Sequence, residues 1–86
     1  GPPAREARML LNELRQLGII ADFGYRIEDR RGPVHQPVFV IVAWARLPDG
    51  STLEGDACES GSKKSAERDA ADRLASRLAT AGIIAG

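Results

Sequence analysis

One cysteine, Cys58, and one histidine, His35, are all that this 86-residue chain offers of the side chains that most often ligate metals or attack substrates. A single cysteine excludes an internal disulfide and a cysteine metal cluster. It fits a reducing, intracellular compartment. No tight grouping of carboxylates or cysteines accompanies the histidine. A hydrolase built on His35 with Asp29 or Asp49 has no nucleophile motif, so the expectation is a chain with no catalytic residues and no cofactor. No long apolar run spans a bilayer, and nothing reads as a signal peptide. There is also no net charge: twelve basic residues cancel twelve acidic ones. A neutral total gives no global attraction to nucleic acid, so any such binding has to come from charge gathered on one face.

What the chain does have is a sharply marked helix start. Ser62-Lys63-Lys64-Ser65-Ala66-Glu67-Arg68 opens a stretch in which Ala66, Ala70, Leu74 and Leu78 recur every four residues. That spacing predicts a helix to about Ala79 with one apolar stripe. Ser62 is a good N-cap, and Arg68–Asp72 and Asp69–Arg73 are spaced as i,i+4 pairs. Two lysines in the first turn oppose the helix dipole. Local stability argues against them, whereas a phosphate would favour the same arrangement of ammonium groups and free N–H donors.

The remaining elements follow from periodicity. Ala7, Leu10, Leu11, Leu14 and Leu17 predict a first helix over 4–17, ended by Gly18. Ile19 and Ile20 are expected to pack under the connection that follows. Phe23, Tyr25 and Ile27 alternate with polar residues and predict a first strand; Asp29 to Pro37 reads as a polar loop. The β-branched run Phe39 to Leu47 predicts a second strand, Pro48-Asp49-Gly50 a hairpin turn, and Ser51 to Cys58 a third strand. GIIA occurs at 18–21 and 82–85, too short to be a repeat. The expected fold is α+β in the order α-β-β-β-α, a three-stranded antiparallel sheet with two helices packed on one face. Gly1-Pro2 looks like the scar of a cleaved tag. Residues 1–3 therefore read as a linker, 4–80 as one domain and 81–86 as a tail.

This order, with Gly32-Pro33-Val34-His35 in the first hairpin and Ser62-Lys63-Lys64-Ser65-Ala66 opening the last helix, resembles the double-stranded RNA-binding domain. Tyr25 lies seven residues before Gly32, Phe39 seven after it, and Leu11-Asn12-Glu13-Leu14 resembles the first helix of that family. The resemblance implies shape-based binding of duplex RNA, touching two minor grooves and the major-groove phosphates between them. It implies that Met9 and Glu13 meet one minor groove, as in the RNA-editing deaminase members. Gly32, Pro33, Val34 and His35 would meet the next. Lys63 and Lys64 would bridge the phosphates, with lesser contacts from Arg30 and Arg31. The family usually places a third basic residue where this chain has Glu67; Arg68 is the expected substitute, and Glu67 could tie up Lys63. Asp56 and Glu59 are expected near the phosphate site, and the connection from the hairpin turn to the last helix is two or three residues longer than usual. The implied protein is a larger RNA-processing or RNA-regulating one. The competing expectation is a protein-interaction or dimerisation module on the same fold. It would use an open sheet face of Val40, Val42 and Trp44.

Overall fold

The computed structural model describes residues 4–85, so the expected linker 1–3 lies outside the described residues. The fold is α+β in the expected order. Helix α1 is Ala4–Gln16, strands β1 and β2 are Asp22–Arg31 and Val38–Arg46, and helix α2 is Lys63–Thr80. The third strand is split into β3, Thr52–Glu54, and β4, Cys58–Ser60. Both halves pair antiparallel with β2 on the side away from β1. Among the described residues no helix is long and apolar enough to cross a membrane.

The core lies between the helices and one face of the sheet. Ala7, Leu11 and Leu14 of α1, Ile41, Ala43 and Ala45 of β2, and Ala66, Ala70, Leu74 and Leu78 of α2 are all buried in it. Ile20, also fully buried, closes it at the end of α1. Leu11, Ile20, Ile41, Leu74 and Leu78 are its largest fully buried side chains, each worth about 1.5–3 kcal/mol. The small residues Ala66, Ala70 and Ala71 let α2 approach the sheet closely. Leu17 does not join the core as its periodicity predicts, and of Ile19 and Ile20, both expected to pack under the connection, only Ile20 is buried. Leu17 is 72% exposed and Ile19 39%, because the chain turns at Gly18 (φ +76°) and only Ile20 is carried inward.

The two GIIA segments do the same job. The Ile19 N–H donates to Leu14 O (2.9 Å), and the Ile83 N–H donates to Leu78 O (3.0 Å). Gly18 and Gly82 both hold positive φ, so each segment closes its helix with the six-to-one bond of a Schellman stop. Ile83 and Ile84 then pack against the core.

Three expectations are corrected. First, β1 continues through Asp29, Arg30 and Arg31, so the loop is only 32–37. A bulge at Glu28 keeps the ladder going: Ile27 faces Ile41, and Asp29 faces Val40. Ion pairs then hold this polar extension. Arg31 bonds Asp29 at 2.8 Å and Glu59 at 2.7 Å. Second, the third strand leaves its ladder after Gly55, whose N–H still reaches Ala43 O. It rejoins with its register moved by one residue, as Trp44 faces Glu54 but Ile41 faces Cys58. One extra residue is absorbed at 55–57, where three residues stand opposite Val42 and Ala43. Third, neither Arg68–Asp72 nor Asp69–Arg73 forms an ion pair; Arg73 turns to Asp56 instead, at 3.8 Å.

The face of the sheet away from the helices is roofed by charge. Arg26 on β1 reaches across β2 to Glu54 on β3 at 2.7 Å, and Arg31 crosses likewise to Glu59 on β4. Val40 and Val42, which lie on β2 between these partners, are buried. Trp44 is half-buried, its indole laid on the cross-strand Gly24, where a β-carbon would come within 2.7 Å. The open apolar patch expected at Val40, Val42 and Trp44 is therefore covered, because long arginine stems shield apolar surface while their heads stay in water.

Candidate nucleic-acid interface

The start of α2 is built as its sequence predicts. Ser62 has extended backbone (φ −129°, ψ 145°), and its Oγ accepts from the Ser65 N–H at 3.1 Å. The Ala66 N–H donates to Ser62 O. The amides of Lys63 and Lys64 lie in the first turn, where no preceding turn supplies a carbonyl. Both lysines are exposed, and among the described residues neither has a carboxylate within ion-pair distance. Glu67 does not tie up Lys63. It is half-buried, and its negative charge adds to the upward shift that burial gives the Tyr25 hydroxyl. Arg68 is exposed and unpaired among the described residues.

The 32–37 loop is a rigid turn. Gly32 takes φ +83°, and a β-carbon there would fall 2.6 Å from Gln36 O, so glycine is required twice over. The Gln36 N–H donates to Pro33 O at 2.9 Å, closing a turn with Val34 and His35 at its two central positions. Val34 is 90% exposed and His35 is exposed. The loop abuts the approach to α2: the carbonyl of Pro37 lies 4.0 Å from where a Gly61 β-carbon would sit. Lys63 and Lys64 follow two and three residues later.

Met9 and Glu13 project from α1 on the side away from Ala7, Leu11 and Leu14; Met9 is 55% exposed and Glu13 exposed. The two helices run parallel. Arg15, near the end of α1, lies over Phe23 and pairs with Asp22 at the beginning of β1. Arg8, two turns earlier, lies over Tyr25, farther toward the hairpin loop. The N-terminal half of α1, the first turn of α2 and the 32–37 loop thus gather toward one end of the sheet.

Other expected contributors are turned elsewhere. Arg31 lies on the opposite face of the sheet and is held by two carboxylates. Arg30 stays on the helix side, over the Phe39 ring at 5.4 Å. Glu59 is occupied by Arg31. Asp56 sits beside Arg73, about 14 Å along α2 from Lys64 at 1.5 Å per residue, so neither acid crowds the lysines. Asp29 and Asp49 have structural duties. Asp29 binds Arg31, and Asp49 accepts from the Ser51 hydroxyl and amide at 2.6 and 2.8 Å. Neither partners His35. Among the described residues no group of His, Cys, Asp and Glu is arranged to hold a metal.

Sequence reasoning passed over Arg8 and Tyr25 as a pair. The Tyr25 hydroxyl is buried with no hydrogen-bond partner. Burial raises its pKa, the positive charge of Arg8 opposes that, and Glu67 adds to it. The available signal was the seven-residue spacing of Arg8 and Arg15, which puts both on the β1 side of α1.

No protein-family model matches the chain, and no curated protein matches it.

Proposed function

We propose that this chain is a double-stranded RNA-binding domain that recognises the A-form duplex by shape, as a module of a larger RNA-processing or RNA-regulating protein. The observation that carries the reading is the pairing of two free ammonium groups on a capped helix N-terminus with the outward Val34–His35 turn beside it. Met9, in the N-terminal half of the parallel helix, supplies a further contact at the same end, and Glu13 one turn farther along it. In this reading Glu13 accepts from 2′-hydroxyls or a guanine amino group, and Met9 lies against base edges. Gly32 and Pro33 hold the bend that presents the Val34 carbonyl and the His35 imidazole to the next minor groove. Lys63 and Lys64 bridge the phosphates between, with Arg68 behind them.

Two or three phosphate contacts give a shallow salt dependence, with a log–log slope near −2 to −3 at about 0.9 per contact. Affinity of one such domain is modest, and tethering to other modules would raise it through effective concentration. The test is a titration with a 20-base-pair RNA duplex and with a DNA duplex of the same sequence. Saturable binding that favours RNA is expected. No binding, or equal binding to both, would overturn the reading, since the 2′-hydroxyls would not be read.

A further inference from the structure

Most arginines of the described residues are held by a carboxylate or a ring; Arg68 and Arg77 have neither. Arg26, Arg31 and Arg73 face carboxylates, and Arg15 has both a carboxylate and a ring. Arg8, Arg30 and Arg46 have no ion pair and rest on aromatic rings instead. Of these three, Arg46 belongs to the outer sheet face and Arg30 to the hairpin. Arg8 alone projects from α1, beside Met9, with its Cζ 5.9 Å from the centroid of Tyr25. It is exposed. A guanidinium resting against a ring is partly ordered in advance, while its N–H fork still points to water and suits a phosphate.

Its position matters because of Glu67. That carboxylate lies one turn after Lys63, while Arg8 lies over the ring of Tyr25. Arg8 and Glu67 do not form an ion pair. On α2 the residue one turn after Lys63 is an acid; on α1 the residue beside Met9 is an exposed, unpaired cation mounted on Tyr25.

Resting on the duplex-RNA reading, we propose that Arg8 is a further phosphate-contacting residue of that face, supplying from α1 a cation in addition to Lys63, Lys64 and Arg68 of α2. The test compares the parent chain with Arg8→Ala, Arg8→Lys and Arg77→Ala in 20-base-pair RNA titrations at several salt concentrations, with a thermal melt of each. Arg8→Ala should bind roughly fivefold more weakly and lose about one unit of salt slope. Its melting temperature should be unchanged. Arg8→Lys should keep the slope while losing part of the affinity. Arg77→Ala, in the last turn of α2, should match the parent. A parent that binds RNA and an Arg8→Ala chain of equal affinity and slope would overturn this inference alone. So would an Arg8→Ala chain that only melts earlier. A parent that binds no RNA would overturn the functional reading and this inference with it.

Discussion

Gly55 stands against the backbone of Leu74 so closely that a β-carbon on it would lie 2.7 Å from the Leu74 amide nitrogen. Backbone cannot swing aside as the tip of a side chain can. Gly55→Ala should therefore push β3 from α2 and destabilise the chain by about 3 kcal/mol, the upper range for overpacking. Urea unfolding should show a lower midpoint with an unchanged m-value.

Lys63→Ala with Lys64→Ala removes the two ammonium groups at the start of α2 and leaves the Ser62 cap in place. The fold should be unaffected by circular dichroism, because both side chains are exposed. Duplex RNA binding should weaken at least tenfold at moderate salt, and the salt slope should fall by about two. Equal affinity in mutant and parent would remove the lysines from the binding face.

Glu67→Lys replaces the acid of the first turn with a third cation. RNA affinity should rise and the salt slope should steepen by about one. Position 67 is half-buried beside Tyr25, so a melt should accompany the titration to separate binding from packing.

The ionic roof over the sheet sets the behaviour in acid. The hydrogen bond from Arg26 holds the Glu54 carboxyl below the ordinary range, and the bonds from the Arg31 side chain and the Arg30 amide do the same for Asp29. A carboxylate whose pKa is depressed on folding contributes stability that is complete above its unfolded pKa and is lost as pH falls through the folded one. Thermal stability should therefore decline as pH drops below roughly 4.3 and continue to fall beneath the normal carboxylate range. Glu54→Gln should be less stable than the parent at neutral pH and show a shallower acid loss. The gap between the two should narrow in 1 M salt, which screens exposed charges.

The elements that were legible in the sequence are those with a strong period or a marked terminus. The apolar stripe of α1 as far as Leu14, that of α2, the Ser62 cap and the Pro48-Asp49-Gly50 turn stand where pattern and turn chemistry put them. Places where one residue is added without changing the composition were not legible. Asp29, Arg30 and Arg31 read as loop because they are charged, yet cross-strand ion pairs make them strand. The third strand's break depends on how near α2 passes, which no local pattern encodes. Of the candidate site residues, the exposed positions at the start of α2 and in the loop were readable as motifs. Arg8 was not, since its partner Tyr25 is brought to it only by the fold.

The single unpaired residue in β1 acts as a parity switch for the hairpin. With Glu28 left out of the ladder, Arg30 falls opposite Phe39 on the helix side, and Asp29 falls opposite Val40 on the outside. Were the strand unbroken, Glu28 would face Val40 and Asp29 would face Phe39, so a carboxylate would occupy the helix side where the guanidinium now lies. One inserted residue therefore decides the sign of the charge that the hairpin turns toward the helix side of the sheet, in a chain whose total charge is nil.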